Sequence, residues 1–497
     1  MAHYDTQDTI VALATPPGTG AIGVVRLSGP AALEIAERVF RAGRGASLSG
    51  VDSHRLTHGH IVDVESGQLL DEVMLVAMRG PRTYTREDVV EIDCHGGMAA
   101  QRAIVRTLVA AGARPAEPGE FTRRAFLNGR IDLTQAEAVA AIVRAQTSVS
   151  LRAAVRQLEG GLARRLRELR ERLLGSLAQL EVQIDFSDED PGELNRAAMA
   201  EVLDGIAEEL EALLATCFLG RILDQGMRVA IVGRPNVGKS SLLNALAMRD
   251  RAIVSEIPGT TRDTVEESVE IAGLPVCLVD TAGLRLTGDC VEREGVERAR
   301  AALETADVVL AVLDLSTGET ARSKAGESRT RGGLARAGAS NLPHALGDLG
   351  LDPERTILVG NKEDLVSLDA SVQGADTRLA EIARLESIDS VDFRRCTVSA
   401  RSGSGVEGLR ALIRDMVMGS VGDAWQEPLL TTERQRALVG EAGAYVVLAK
   451  DGVADGAPEE LIAEDVRAAV SSLGRITGQD VVEDLLDEVF SRFCIGK

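Results

Sequence analysis

The sequence predicts a multidomain α/β protein. It has an N-terminal α+β domain, an all-α domain discontinuous in sequence and, inserted between the halves of the latter, a P-loop domain on a doubly wound sheet. Three observations predict this. At roughly 150 residues per domain, the 497-residue length suggests about three domains. Long stretches of helical periodicity, rich in Ala, Leu, Arg and Glu, flank a central region. In that centre apolar strands alternate with helices, which implies a mainly parallel sheet covered on both faces.

The elements follow in chain order. Residues 9–27 alternate apolar stretches around a PPGTG turn, and 70–78 and 89–93 read as further strands. Residues 99–111 read as a helix closed by Gly112. From Leu133 to about Leu223 the periodicity is helical, with a break at DFSDEDPGE, 185–193. At Met227 a strand (227–232) runs into a Gly-rich loop and a helix, and strands follow near 276–280, 308–313 and 356–360. Between Ser316 and Arg355 the chain is rich in Gly, Ala, Ser and Arg, which predicts a mobile surface insertion. Helices return at 431–450, 458–473 and 480–493. The two helical blocks are expected to pack together, since a domain whose own ends lie close can be inserted into another. The expected domains are 1–130, 131–224, 225–420 and 421–497.

Composition narrows the function. A net charge of −21 argues against a protein that coats nucleic acid by bulk electrostatics, and leaves room for a local basic patch. The six cysteines are scattered, with no C-x-x-C pair, so no disulfide framework or zinc site is expected and a reducing cytoplasm is the natural compartment. The sequence begins without a signal-peptide pattern and has no apolar run long enough to span a membrane. Basic residues comprise 50 Arg and only five Lys: Lys239, Lys324, Lys362, Lys450 and Lys497. Lysine in such a chain marks either drift at a few sites or places that prefer a compact ammonium. His54, His58 and His60 are expected near a turn before a strand, in a surface or packing role rather than on a metal. Residues 152–172 carry seven arginines against Glu159, Glu168 and Glu171. They are read either as a solvated helix face or as a docking surface for phosphates or an acidic partner.

The strongest chemical signal is GRPNVGKSS, 233–241, between an apolar strand and a helix. This is the phosphate-loop pattern, in which glycines let backbone N–H groups face phosphates. Lys239 reaches the β and γ phosphates and Ser240 ligates magnesium, with Asn236, Val237, Gly238 and Ser241 completing the loop. Asp280, Thr281, Ala282 and Gly283 put a carboxylate near magnesium and an N–H near the γ-phosphate. Asn361, Lys362 and Asp364 follow another strand, and Asp364 can accept both the N1–H and the amine of guanine. Ser399, Ala400 and Arg401 end a further strand and offer N–H groups to the guanine oxygen. Pro258 to Asp263 supplies threonines, Thr260 and Thr261, of which Thr261 closes over magnesium. Five segments in this order specify GTP with Mg²⁺ and resemble the translation-factor class of GTPases. Leu284 stands where many small GTPases carry a water-orienting glutamine, so hydrolysis needs another positioning group and another source of charge. Asn236 suggests a monovalent cation beside the phosphates.

Three N-terminal segments, DTIVALATPPGTGAIGVVRLSGP, TYTREDVVEIDCHGG and PGEFTRRAFLNGRIDLTQAEAV, together with FCIGK near residue 497, resemble one family, the tRNA modification GTPases called MnmE or TrmE. The resemblance runs over nearly the whole chain outside 316–355. It implies a Ras-like GTPase domain, a tetrahydrofolate-binding N-terminal domain that mediates homodimerisation, and a flavoprotein partner, MnmG, which carries the FAD. It further implies that the pair adds a carboxymethylaminomethyl- or aminomethyl-type group at carbon five of the wobble uridine of certain tRNAs. The one-carbon unit would come from 5,10-methylene-tetrahydrofolate, with 5-formyl-tetrahydrofolate as an alternative ligand. Carried onto this sequence, Arg26, Glu91, Arg130 and Lys497 match folate-contacting positions. Asn236, Ser255, Ile257 and Thr260 match ligands of a K⁺ whose binding pairs the GTPase domains, and Glu292 matches the residue that positions the attacking water. Cys494 matches a cysteine important for tRNA modification, through thiol chemistry, structure or the folate pocket. A ribosome-assembly or RNA-chaperoning GTPase is the main alternative and a membrane-transport GTPase a weaker one; neither explains the folate-like N-terminal segments.

Overall fold

The computed structural model describes residues 7–43, 47–185, 194–247, 266–280, 302–316, 346–366, 372–388, 392–418, 428–479, 483–491 and 493–497. The chain divides into two compact units, one of residues 1–140, 157–210 and 438–497, the other of 141–156 and 211–437.

In the first unit seven strands form one sheet: β1 (Ile10–Leu13), β2 (Ile22–Ser28), β3 (Phe40–Ala42), β4 (Arg55–Val62), β5 (Leu69–Met78), β6 (Val89–His95) and β7 (Arg114–Pro115). Their order is β3-β4-β5-β6-β2-β1-β7, antiparallel throughout except for the β1–β7 pair. Alternation assigns the faces. Val25 and Leu27, Val73 and Leu75, and Val90 and Ile92 point to one side, where Ile35, Val39, Ile104 and Leu108 from the helices Ala32–Val39 and Met98–Ala110 cover them. The opposite face carries Arg26 directly across from Glu91. The strands read at 70–78 and 89–93 and the helix at 99–111 are found within a residue or two. β4 is a correction: His58 and His60 lie within that strand, and only His54 occupies a turn, at φ 66°. Polar residues in its RLTHGH half hid its alternation. His58 Nε2 meets Glu72 Oε1 at 2.6 Å across the β4–β5 pair.

Helices complete this unit. In Gly161–Asp185 the buried residues Leu162, Leu166, Leu169, Leu173, Leu177 and Leu180 recur every three or four positions, which makes one continuous apolar stripe. The stripe packs on the helix Glu459–Thr477, which buries Ile462, Val466, Ala469 and Leu473. Each fully buried leucine stabilises the pair by about 1.5–3 kcal/mol. Polar links border the helices: Arg467 to Glu181 at 3.3 Å, Arg196 to Glu459 at 2.5 Å and Lys450 to Asp204 at 2.5 Å. Segments from either side of the P-loop region therefore share one core. On the arginine-rich helix, Arg165 and Arg172 both engage Glu209, while Arg164 and Arg167 remain exposed. Arg152 and Arg156 belong to the second unit.

The second unit is built on β8 (Met227–Gly233), β9 (Glu266–Ile271), β10 (Leu274–Asp280), β11 (Val308–Asp314), β12 (Thr356–Asn361) and β13 (Arg394–Thr397). The order is β13-β12-β11-β8-β10-β9, parallel except for the β9–β10 hairpin. Successive residues of β8 face opposite cores. Val229 and Ile231 pack with Leu242, Leu246, Leu409 and Ile413, whereas Ala230 and Val232 pack with Leu358, Leu379 and Ala383. This is the doubly wound sheet that the alternation of strands and helices implies. Among the described residues, no helix is long and apolar enough to cross a membrane.

Candidate functional site

β8 lies between β10 and β11, so chain connections leave it in both directions and a crevice opens at the carboxyl ends of the strands. Every described nucleotide-site residue lies at those ends. Gly233 closes β8, and Lys239 opens the helix Lys239–Ala247. The Lys239 ammonium is buried and donates to the carbonyls of Gly233 and Arg234, each at 2.9 Å. Gly238 has φ +97°, and a Cβ there would overlap Nδ2 of Asn361, so this position requires glycine. Asn236 is exposed at φ 63°, and Ser240 and Ser241 are exposed at the start of the helix. A helix N-terminus with a lysine and an exposed hydroxyl suits phosphates and a magnesium ion, and an exposed amide oxygen suits a monovalent cation.

Three strand ends converge on this loop. Asn361, 2% exposed, donates from Nδ2 to Val237 O at 2.9 Å and accepts Ala400 N–H at Oδ1, 3.1 Å. Lys362 adopts φ 65° and donates from Nζ to Asn236 O at 2.9 Å and to Asp314 Oδ2 at 2.6 Å. Ser399 donates from Oγ to Asp364 Oδ1 at 2.6 Å and accepts Ser402 N–H at 3.1 Å, which fixes the carboxylate that would read guanine. Arg401 is exposed in the same turn. Behind it burial, with Glu363 and Asp376 nearby, pushes the Cys396 thiol up to about 11, so it stays neutral.

Asp314 is a residue that the motif search missed. Burial raises its carboxyl pKa, but the Lys362 hydrogen bond and two donors from Ser316 outweigh that and hold it below the usual carboxylate range. Its only sequence signal is its place at the end of the apolar run VVLAVLD. Asp280 ends β10 at the crevice. Ser255, Ile257, Thr260, Thr261, Thr281, Ala282, Gly283, Leu284 and Glu292 lie outside the described residues.

The first unit brings a second group together. Arg26 Nε meets Glu91 Oε1 at 2.7 Å, and its Nη1 donates to Gly496 O at 3.3 Å. Its guanidinium lies 5.8 Å from the Tyr84 ring centre and 5.7 Å from that of Phe121. Arg130 lies 4.9 Å from the Tyr84 centre and donates to Thr83 O at 3.0 Å. Tyr84 is thus gripped by two cations through its π face. Burial pushes its phenol up, so it stays neutral beside Thr122. The segment Phe493–Lys497 is seated on this domain: Gly119 N–H donates to Cys494 O at 3.3 Å, and Pro118 bridges Ile495. Cys494 is an exposed free thiol, and Lys497 N–H also donates to Cys494 O at 3.3 Å. A carboxylate, two guanidinium groups and an aromatic ring fit a pterin with an acidic tail. Arg26, Glu91 and Arg130, which the resemblance singles out, are thus neighbours around Tyr84, a residue that no sequence motif singles out.

Residues 9–130 match the family described as GTP-binding protein TrmE N-terminus, and residues 133–494 match the MnmE helical domain. The chain is 46% identical over 491 residues to the tRNA modification GTPase MnmE of Moorella thermoacetica, with 99% of each chain covered. It is 43% identical over 492 residues to that of Geobacillus thermodenitrificans and 44% over 495 to that of Heliobacterium modesticaldum, again with 99% of each chain covered. With this identity sustained from end to end, the chain belongs to the tRNA modification GTPase MnmE family.

Proposed function

We propose that this chain hydrolyses GTP in the service of tRNA wobble-uridine modification. The observation that carries the reading is the convergence of Asn361 and Lys362 on the phosphate loop, with Asp364 held by Ser399 where guanine would be read. Lys239 meets the β and γ phosphates, and the loop N–H groups spread their charge. Ser240 and Thr261 hold Mg²⁺ on the phosphates. Asn236 and Thr260, with Ser255 and Ile257, hold K⁺, whose charge replaces that of an arginine finger. Glu292 orients the attacking water in place of the missing glutamine.

In the N-terminal domain Arg26, Glu91, Arg130 and Lys497 hold a tetrahydrofolate, which supplies the one-carbon unit. Cys494, in the same seated segment as Gly496 and Lys497, takes part in the modification step. The chain acts in the cytoplasm as a homodimer with the flavoprotein MnmG, and the domains that go with this reading are 1–130, 131–224, 225–420 and 421–497. Membership of the MnmE family and the cation–aromatic group around Tyr84 support it. Two experiments test it. Mass spectrometry of tRNA nucleosides from a strain lacking the gene should show loss of the modified wobble uridine, and an unaltered profile would refute the reading. GTP turnover should be faster in potassium than in sodium, and equal rates would remove Asn236 from the cation.

A further inference from the structure

We propose that Asp314 is a positioning residue that ties guanine recognition to the phosphate loop and to the cation ligand Asn236; this rests on the nucleotide reading above. Asp314 ends β11, the strand hydrogen-bonded to both β8, which carries the phosphate loop, and β12, which carries Asn361 and Lys362. Both of its carboxylate oxygens are committed. Oδ2 accepts the Lys362 ammonium at 2.6 Å, while Oδ1 accepts Ser316 Oγ at 2.6 Å and Ser316 N–H at 2.9 Å. The side chain is largely buried, and the pair is charge-assisted, so it is short and strong.

What Asp314 holds in place is unusual backbone. Lys362 and Asn236 both occupy the left-handed region, at φ 65° and 63°, and neither is glycine. Asparagine visits that region at low cost, but lysine stays there only where its surroundings hold it. The Lys362 ammonium joins the two positions, since it also donates to Asn236 O at 2.9 Å. Asp314 fixes the ammonium, the ammonium fixes the Asn236 carbonyl, and the Asn236 backbone then sets the direction of its side chain. A small ammonium with three donors can serve a carboxylate and a carbonyl at once, whereas a planar guanidinium imposes its own fork geometry. That is a physical reason for lysine at 362 in a chain with 50 Arg and five Lys. Guanine bound at Asp364 steadies the 361–364 segment, and Asp314 passes that order to the residue that meets the cation.

The test uses the full chain with Asp314→Asn, which keeps shape and drops charge, and Ser316→Ala, which leaves Asp314 charged but loosens it. Stopped-flow dissociation of a fluorescent GDP analogue, in buffer without potassium, should be about tenfold faster for Asp314→Asn. The potassium concentration for half-maximal GTP turnover should rise by a similar factor, with the maximal rate little changed. Ser316→Ala should shift both quantities in the same direction by less. A purely structural role would lower the melting temperature and leave the GDP dissociation rate and potassium response at wild-type values, and that result overturns the proposal. If wild-type protein turns over GTP equally in sodium and potassium, the cation reading fails, and GDP dissociation alone decides Asp314.

Discussion

Replacing Gly496 by alanine tests how the folate-like site is completed. Gly496 has φ +93°, and an added Cβ would lie 3.0 Å from Ala14 Cα and closer still to Leu13 O. An alanine forced into left-handed backbone costs about 1–2 kcal/mol. Both contacts are to main chain in and beside β1, which cannot give way, so the segment must lift instead. Lifting releases the Arg26 Nη1 bond to Gly496 O, a charged hydrogen bond worth about 1.5 kcal/mol or more. That bond is lost on undocking in wild type and variant alike, so the shift toward the undocked segment is set by the strain alone, about 1–2 kcal/mol or roughly five- to thirtyfold. Hydrogen exchange reads this directly, because the Gly119 amide is protected by Cys494 O. That amide should exchange faster in Gly496→Ala, calorimetry should show markedly weaker binding of 5-formyl-tetrahydrofolate, and GTP turnover should be unchanged. Retained protection would refute the steric reasoning. Lost protection with unchanged folate affinity would remove Lys497 from the site.

Other expectations follow from the same geometry. Asn361→Ala removes one donor to Val237 and one acceptor for Ala400; at about 1 kcal/mol each, GDP affinity by fluorescence titration should fall roughly thirtyfold. The lowered Asp314 pKa means that its stabilisation is present above the unfolded value of 3.8 and is lost as pH falls through the lower folded value. Denaturation followed by circular dichroism below about pH 4 should therefore show a steeper loss for wild type than for Asp314→Asn. Leu166→Ala, at a position 1% exposed, should destabilise the helix pair of the first unit by about 2–5 kcal/mol, read as a lower urea midpoint.

Residues whose spacing is imposed by local chemistry were legible without coordinates. The phosphate loop, the Asn361–Asp364 tetrapeptide and the leucine stripe of Gly161–Asp185 each announce themselves within one element. β4 was not legible, because a strand that exposes histidines on its outer face loses the apolar alternation that marks it. Asp314 and Tyr84 were missed for another reason. Each acts through residues far away in sequence, Lys362 in one case and Arg26 and Arg130 in the other. Only the sheet order shows that the end of β11 lies beside that of β12. The bond between Arg26 and Gly496 spans almost the whole chain, and no local pattern could announce it.

The pairing of Gly161–Asp185 with Glu459–Thr477 also sets a timetable. On the ribosome the first helix emerges 274 residues before its partner begins, a delay of roughly 15–55 s at ordinary rates of synthesis. For that interval six leucines lack the surface they will be buried against, while the intervening P-loop region has time to fold. The nascent chain then carries an aggregation-prone apolar stripe until the partner helix leaves the ribosome. Slowing elongation within the intervening region should lengthen chaperone association without altering the finished fold.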